Sequence, residues 1–254
     1  MSGLSFISNY GSSSDESETE CTQQPQLKKP KLQVPDLSFV PVVSSESHLD
    51  DPQEHDGRVR SFPHVRGNWA TFIYVKYSGD KSVFNLSQKI LEILSAYEDS
   101  CHSCENIHIS LSKTVVLQYH LITPFTKCLQ EAFGDTQCFQ LEFSGVKVYC
   151  NEDNTRTFIA LEVDYYTKKK LLKLSQKVDN VLKEFKLPLF YEDPSFHMSI
   201  IWLNGNKKAE LSSLIPEFNI CLKEEIGNTV QPILVSDLSW KIGNKYFKFS
   251  LQES

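Results

Sequence analysis

The chain carries the same alternation of apolar and polar residues at two places that lie far apart. The two segments are Ile107-His108-Ile109-Ser110-Leu111 and Phe196-His197-Met198-Ser199-Ile200. Since successive side chains of a strand point to opposite faces, His and Ser fall on one face and the three apolar residues on the other. We therefore predict two strands, each of which buries an apolar face in the core and presents an imidazole beside a hydroxyl.

Each of these strands occupies the same place in a longer pattern of elements. Apolar residues at helical spacing predict one helix before each strand and another after it, and two further strands close each half. In chain order the predicted elements are a strand over 69–77, a helix over 86–97, the first His-x-Ser strand running on through 114–117, a helix from Pro124, strands over 139–149 and 157–163, a helix over 171–185, the second His-x-Ser strand, a helix over about 207–224, and strands over 233–240 and 245–251. We therefore predict an α+β fold with two pseudo-symmetric lobes, whose antiparallel sheets line a central cleft.

The first 60 residues differ in composition from the rest of the chain. They hold ten acidic and five basic side chains, and the stretch from Ser12 to Glu20 contains almost no apolar residue. Such a segment buries too little apolar surface to offset the entropy that is lost on ordering. We predict a disordered, acidic and serine-rich tail over 1–60. One bilobal domain is predicted over 61–254, with lobes of about 61–155 and 156–254 that are able to exchange strands.

Charge and cysteine content narrow the function classes. The net charge is −6, and the tail contributes −5 of it (five basic minus ten acidic residues), so the remainder is almost neutral. A nearly neutral domain is not suited to hold a long nucleic-acid duplex by charge, whereas a short end held by a few directed contacts is compatible with it. Seven irregularly spaced cysteines fit a reducing compartment better than a disulfide framework.

Targeting signals are few. No apolar run approaches the roughly 18 residues of a membrane-spanning helix, and the N-terminus lacks the layout of a secretory signal. Within the tail, Lys28-Lys29-Pro30-Lys31 is either a nuclear localisation signal or a chance group of charges in a polar segment. We therefore expect no association with a membrane.

The two His-x-Ser strands together hold the side chains that a phosphodiester transfer needs. A neutral imidazole can take the proton of a ribose 2′-hydroxyl while an imidazolium protonates the leaving 5′-oxygen, and histidine titrates near neutrality. We therefore assign His108 and His197 as the acid–base pair. Ser110 and Ser199 would donate hydrogen bonds to the phosphate oxygens, where negative charge grows. This chemistry requires no metal or cofactor. The alternative is that both histidines are core residues that hydrogen-bond to a neighbour.

Several stretches around and beyond these motifs resemble one family. They are Ile107–Ser112 followed by Thr114–Leu117, Thr155–Phe158 and Phe190–His197. On these residues the chain resembles the U6 small nuclear RNA phosphodiesterase family of the 2H phosphoesterase superfamily, which is named for its two His-x-Ser or His-x-Thr motifs. The resemblance covers roughly Asn68 to the C-terminus, and the pattern Tyr-x-x-Pro-x-x-His before the second motif is its most specific part.

The resemblance implies a nuclear 3′–5′ RNA exonuclease that trims the 3′ oligouridine tail of U6 spliceosomal small nuclear RNA and leaves a 2′,3′-cyclic phosphate. By position, it implies that His108 and His197 are the catalytic pair. We favour His108 as the proton acceptor and His197 as the proton donor, and the reverse assignment stays open. It further implies that Tyr191 packs on the terminal nucleotide, that Ser195 belongs to the same binding segment, and that Glu152 lies in a turn that reaches the nucleotide. The expected partner is the single-stranded 3′ end of an RNA, bound by a monomer, and the composition of the tail names no partner for it.

Two other functions and one metal site are alternatives to this interpretation. Other members of the superfamily open 2′,3′-cyclic phosphates or join RNA ends, and a non-catalytic RNA-binding scaffold would use the histidines only as core residues. A zinc site at Cys101-His102-Ser103-Cys104 is the weakest interpretation, because a structural site needs a second pair of ligands and none follows at a suitable spacing.

The aromatic residues expected in the core are Trp69, Phe72, Tyr74, Trp202 and Trp240.

Overall fold

The structure, a computed structural model, describes residues 65–77, 81–97, 100–226 and 233–253. The acidic tail predicted over 1–60 and its basic cluster at residues 28–31 lie outside the described residues. None of the helices within the described ranges combines the length and the apolar character needed to cross a bilayer.

The order of helices and strands follows the two-part pattern of the sequence. The strands are β1 Asn68–Lys76, β2 Cys101–Ser103, β3 His108–Ser110, β4 Val115–Gln118, β5 Phe139–Leu141, β6 Phe143–Cys150, β7 Arg156–Val163, β8 His197–Asn204, β9 Ile233–Val235, β10 Asp237–Ile242 and β11 Lys245–Ser250. The helices are α1 Ser82–Leu94, α2 Ile122–Phe133, α3 Tyr165–Glu184, α4 Lys208–Ser212 and α5 Ile215–Ile226, with a short 3-10 turn at Tyr119–Leu121. A helix therefore precedes and follows each His-x-Ser strand, as predicted.

Most of the strands join one antiparallel sheet. Among the described residues, nine strands form this sheet, with the central order β11-β10-β1-β3-β8-β7-β6. β4 also pairs with β1 and β2 with β8, while β5 and β9 form a separate two-stranded sheet. The strands that carry His108 and His197, β3 and β8, are neighbours near the centre, so the sheet itself brings the two motifs together.

The hairpins that close the two halves are exchanged between them. β6 and β7 follow α2 in the first half, yet β7 pairs with β8 from the second half. β10 and β11 follow α5 in the second half, yet β10 pairs with β1 from the first. Strand pairing therefore crosses the boundary predicted between residues 155 and 156, in the way that strand exchange allows. The division into two lobes stays a prediction.

The first His-x-Ser strand is shorter than predicted, because it and β4 pair with different parts of β1. β3 pairs with Tyr74–Lys76 and β4 with Asn68–Thr71. Between them, the backbone N–H of Ile73 donates to the Ser112 hydroxyl at 3.0 Å, and the backbone N–H of Leu111 donates to the Ile73 carbonyl at 2.8 Å. A side chain thus takes the place of one ladder bond, and the chain bends between two short strands.

Other differences from the predicted elements also have local causes. The strands predicted over 139–149 and 233–240 each divide in two, because β5 and β9 leave the main sheet to pair with each other. The helix predicted over 207–224 is divided into α4 and α5. Pro216 lies in the first turn of α5, where its missing N–H is no loss, whereas in a continuous helix its ring would clash with the preceding turn. β2 carries no apolar alternation, which is why the sequence does not predict it.

The core lies on the side of this sheet opposite to the two histidines. Ile109 and Met198 are 1% and 0% exposed, and they are paired directly across the β3–β8 ladder. They belong to one apolar cluster with residues of the helices, among them Leu86, Leu171 and Phe218. Because a slip of one residue would turn these side chains out of the core, their burial fixes the register at which the two histidine strands meet.

We expect Ile109→Ala to lower the free energy of unfolding by about 2–5 kcal/mol, because it removes buried apolar volume and leaves a cavity. Ile220→Ala is the matched control, since it removes the same atoms from a side chain of α5 that is 58% exposed. The control should cost less than about 1 kcal/mol. Urea denaturation of both variants measures the difference, and equal losses would contradict the central place of Ile109 in the core.

Candidate active site

The ladder between β3 and β8 decides which polar side chains meet. Ile109 is paired with Met198 in antiparallel register. One position to either side, His108 therefore lies across from Ser199, and Ser110 lies across from His197. All four side chains are half-buried and project from the face opposite to the apolar pair. The two histidines are diagonal neighbours, which in such a ladder lie roughly 7–8 Å apart.

Both imidazoles are held by the same hydrogen bond. Nδ1 of His108 lies 2.6 Å from the carbonyl oxygen of Asn106, and Nδ1 of His197 lies 2.7 Å from that of Ser195. The acceptor is two residues before the histidine in each case. A carbonyl can only accept, so Nδ1 carries a proton in both rings, and Nε2 is the atom left to gain or lose one.

Burial governs the protonation of both rings. It lowers the pKa of His108, and the hydrogen bond to Asn106 opposes this effect. Burial also lowers the pKa of His197, against the hydrogen bond to Ser195 and the charge of Glu162, while the charge of His108 lowers it further. Repulsion between the rings makes one proton on the pair more favourable than two. The pair is therefore suited to hold one acid and one base at the same time.

The two histidines differ in their aromatic neighbours. Tyr149 of β6 lies face to face with His197, with ring centroids 3.9 Å apart and 16° between the planes. Tyr74 and Phe72 of β1 approach His108 at larger angles, 63° and 42°, with centroids at 5.2 and 5.6 Å. From the sequence, Phe72 and Tyr74 are expected in the core. Both are instead half-buried on the face of His108, since they alternate along β1 with the residues that enter the core.

Tyr149 and Glu162 are site residues that the sequence reasoning misses. Glu162 of β7 is paired with His197 across the ladder and forms an ion pair with Lys147. The Tyr149 hydroxyl lies 3.1 Å from the Ser195 hydroxyl. Period-two alternation along β6 and β7 is a signal that places both residues on one face, but the sequence does not say that these strands join β8.

Tyr191 and Glu152 meet in a second group, together with Lys113. The Lys113 ammonium lies 2.9 Å from the Glu152 carboxylate and 4.1 Å from the centre of the Tyr191 ring. The hydrogen bond and charge of Lys113 lower the pKa of Glu152, so this carboxylate is ionised at neutral pH. Tyr191 is 44% exposed, and Lys113 covers one face of its ring. Because Lys113 follows Ser110 by three residues, this group lies close to the end of β3.

A tight turn between β6 and β7 presents Glu152. The Asn151 side chain accepts hydrogen bonds from the backbone N–H groups of Thr155 and Arg156, both at 2.9 Å. Asn154 has a φ of 55°, a left-handed conformation in which asparagine is found more often than most residues. The residues between β6 and β7 therefore form a polar turn that is held by its own hydrogen bonds.

The Cys-x-x-Cys segment offers no metal centre of the kind considered from the sequence. Within the described ranges, no group of three or more His, Cys, Asp or Glu side chains is arranged to hold a metal ion. His102 stacks on Trp202, with ring centroids 4.3 Å apart. Burial raises the pKa of Cys104 to about 11, so its thiol is protonated at neutral pH.

Comparison with known proteins identifies the family. The family model HVSL, described as an uncharacterised conserved protein, matches residues 32–250. The chain is 37% identical over 242 residues to the mouse protein named U6 snRNA phosphodiesterase 1, and this alignment covers 91% of the chain and 87% of the mouse protein. It is 36% identical over 264 residues to the Drosophila melanogaster protein of the same name, and this alignment covers 98% of the chain and 100% of that protein. The chain belongs to the U6 snRNA phosphodiesterase 1 family.

Membership of this family confirms the family that the sequence motifs predicted, and it confirms the predicted enzyme class, a phosphodiesterase. Kluyveromyces marxianus Usb1, solved with uridine monophosphate, superposes on the chain with a TM-score of 0.52 at 11% identity. The match covers 72% of this chain and 98% of Usb1. This likeness in fold confirms the predicted α+β class, while the roles of individual residues stay predictions.

We expect the free energy of unfolding to fall as the pH decreases below the ordinary histidine pKa of about 6.5. His108 and His197 have lowered pKa values in the fold, so the unfolded chain binds more protons in this range and stability rises with pH. The penalty is absent above the unfolded pKa and grows until the pH passes below the folded values. Urea denaturation at several pH values between about 7.5 and 5.5 measures this slope. The slope should flatten in the double variant His108→Gln/His197→Gln, and an unchanged slope would contradict the lowered pKa values.

Proposed function

We propose that the protein is a metal-independent 3′–5′ RNA exonuclease that shortens an oligouridine 3′ end and leaves a 2′,3′-cyclic phosphate. The observation that carries this proposal is the diagonal pair of histidines, each held at Nδ1 and each facing a serine across the ladder. A phosphodiester bound between the rings would meet a base on one side and an acid on the other. Ser110 and Ser199 would donate hydrogen bonds to its non-bridging oxygens.

The reaction then uses only groups of the chain and of the RNA. Neutral His108 takes the proton of the 2′-hydroxyl on the penultimate nucleotide, and the 2′-oxygen bonds to phosphorus. The bond from phosphorus to the 5′-oxygen of the terminal nucleoside breaks, and this oxygen takes the proton from Nε2 of His197. The products are an RNA that ends in a cyclic phosphate and a free nucleoside. His108 is left protonated and His197 neutral, and exchange with water restores both.

The surroundings of the two rings support this order of roles. His197 faces Glu162 across the ladder, and a nearby carboxylate favours the proton-bearing form that a donor needs. His108 lies beside Phe72 and Tyr74. Burial favours the neutral form of both rings, and the charge of Glu162 opposes this effect at His197. His108 is therefore proposed as the acceptor and His197 as the donor.

Tyr191 is proposed to hold the terminal base by stacking. Lys113 covers one face of its ring, so the base is expected on the other face. Glu152, bonded to Lys113, would lie at the edge of this stack as a hydrogen-bond acceptor. Ser195 belongs to the segment that leads from Tyr191 to His197, where its carbonyl holds the His197 ring and its hydroxyl meets that of Tyr149.

The names of the relatives suggest the RNA. The mouse and Drosophila relatives are named for U6 snRNA, and we assign the 3′ oligouridine tail of that RNA as the substrate of this chain. A nuclear location and a place in the 3′-end processing of a spliceosomal RNA follow from that substrate. Both histidines come from one chain, so a monomer would hold a complete site.

The test is a 5′-labelled oligouridine incubated with the purified protein in excess chelator. We expect full activity, because both proton transfers come from side chains, and we expect the shortened RNA to end in a cyclic phosphate. A matched RNA with one 2′-deoxy nucleotide at the penultimate position should resist cleavage, since it lacks the attacking group. Mass spectrometry of the products identifies the end group.

In the same assay, His108→Gln and His197→Gln should each lower the rate by about two to four orders of magnitude. His120→Gln is the matched control, because His120 is an exposed residue of the 3-10 turn. Normal rates in both site variants, in folded protein, would refute the proposal. Opening of a cyclic end without shortening would favour the cyclic phosphodiesterase alternative, and binding without cleavage would favour the scaffold.

Tyr191→Ala should raise KM for oligouridine between about fivefold and a hundredfold, because stacking of a base on an aromatic ring contributes roughly 1–3 kcal/mol. Tyr166→Ala makes the same truncation on α3, where the side chain is 74% exposed and has no place in the proposed site. Initial rates over a range of RNA concentrations give both KM values. An unchanged KM in Tyr191→Ala would remove this residue from the binding site.

A further inference from the structure

Tyr149 is the half-buried residue whose contacts converge most closely on one of the two histidines. Its ring lies face to face with the His197 ring, at 3.9 Å between centroids. Its hydroxyl lies 3.1 Å from the Ser195 hydroxyl, and the Ser195 carbonyl accepts the hydrogen bond from Nδ1 of His197 at 2.7 Å. Tyr149, Ser195 and His197 therefore form a closed ring of three contacts, in which the imidazole is held at its face and at its edge.

The proposed reaction gives Tyr149 no role of its own, yet strand pairing holds this residue on the same face of the sheet as the two histidines. It is paired with Phe158 on β7, which pairs in turn with β8, and it lies on the face of the sheet that carries the histidines. Burial raises the pKa of the Tyr149 phenol, so the ring is neutral at working pH. A neutral aromatic ring presents a negative face to whatever lies over it.

Within the part of the chain that the structure describes, no aromatic ring lies parallel to the imidazole of His108. The rings of Tyr74 and Phe72 meet it at 63° and 42°, so neither lies parallel to the imidazole. Its Nδ1 is held by the Asn106 carbonyl, as Nδ1 of His197 is held by that of Ser195. The two histidines thus share the same kind of backbone hydrogen bond, whereas, among the described residues, a parallel aromatic ring lies against His197 and not against His108.

Charged groups around the two rings are also unequal. Glu162 faces His197 from β7, and Lys147 of β6 forms an ion pair with this carboxylate. Lys76 of β1 is paired with His108 across the other ladder, and the two histidines face each other diagonally. The charge of Glu162 raises the pKa of His197 and so favours a proton on this ring.

A proton donor buried in this way needs stabilisation of its charged form. Burial lowers the pKa of His197, which would leave the ring mostly neutral near pH 7. The face of an aromatic ring attracts a cation, and more strongly where water is displaced. A parallel ring at 3.9 Å also prevents rotation of the imidazole about its χ2 angle, so Nε2 keeps one direction.

We infer that Tyr149 is a positioning residue that fixes the ring plane of His197 and stabilises its protonated form. The inference rests on the proposed role of His197 as the proton donor. Tyr149 acts through His197 and is not required to contact the RNA. Its ring carries the electrostatic effect, and its hydroxyl contributes to the geometry through Ser195.

The first test is a histidine NMR titration of the free, full-length protein, which needs no nuclease activity. In the unsubstituted protein, ring protons of His197 should be shifted upfield relative to those of His108 by the stacked tyrosine. Tyr149→Leu fills similar space without an aromatic face, and it should lower the pKa of His197 by about half to one pH unit. Tyr149→Phe keeps the ring and should leave this pKa unchanged.

The matched control is Tyr74→Leu, which makes the same change beside the other histidine. It should leave the pKa of His197 where it is. If the ring protons of His197 show no upfield shift in the unsubstituted protein, the inference is overturned without any variant. It is also overturned if Tyr149→Leu does not lower the pKa of His197.

The second test is the pH dependence of cleavage. Because the donor must carry its proton, Tyr149→Leu should move the alkaline limb of the kcat/KM profile to lower pH by the same amount. At pH 7 kcat should fall about three- to tenfold, with KM within about twofold of its original value. A rise in KM with an unmoved alkaline limb would show that Tyr149 binds substrate instead, and it would overturn the inference.

The two tests separate the two proposals. A protein that shows the predicted titration but cleaves no RNA refutes the nuclease and leaves the contact between Tyr149 and His197 as described. A protein that cleaves RNA normally in the Tyr149→Leu variant, with an unmoved alkaline limb, refutes the inference and leaves the nuclease in place.

Discussion

The buried pairing of Ile109 with Met198 is the contact on which the site depends. It is one pair in one ladder, but it decides that His108 faces Ser199 and that Ser110 faces His197. A slip of one strand by one residue would turn its histidine and serine toward the core and its apolar residue toward solvent. The hydrophobic effect on one face of the sheet therefore sets the positions of the two histidines that we propose for acid–base chemistry on the other.

The site combines a symmetric backbone with asymmetric surroundings. Each histidine donates from Nδ1 to a carbonyl two residues earlier, so both Nε2 atoms are prepared in the same way. The strands outside this pair differ, because β1 brings Lys76, Tyr74 and Phe72 to one side while β7 and β6 bring Glu162 and Tyr149 to the other. An acid and a base need different environments, and the proposed mechanism obtains them from a duplicated framework whose neighbouring strands differ.

Much of this arrangement can be predicted from the sequence, because alternation is a local property. It predicts that His108 and Ser110 share a face, that His197 and Ser199 do so too, and that the faces behind them are buried. It does not predict which strands become neighbours. Tyr149 lies 48 residues before His197, and their contact exists only because β7 joins β6 to β8.

Two further failures of prediction have the same origin. The Ser112 hydroxyl replaces a backbone ladder bond on β1, and this depends on a partner strand that local pattern does not name. β5 and β9 look like the first residues of longer strands, and they separate only because each finds the other across the fold. Local sequence specifies elements and faces, whereas pairing between distant segments depends on how all the elements pack.

The exchanged hairpins have a consequence for how the enzyme comes into being. A break in the chain between β7 and α3 leaves β6–β7 on one fragment and β8 on the other, and it separates β10–β11 from β1 in the same way. Each fragment then keeps one of the two histidines and a hairpin whose partner strand, β8 or β1, lies on the other fragment. Under the proposed mechanism neither fragment alone holds both histidines, so cleavage of RNA requires that the β3–β8 ladder forms between them.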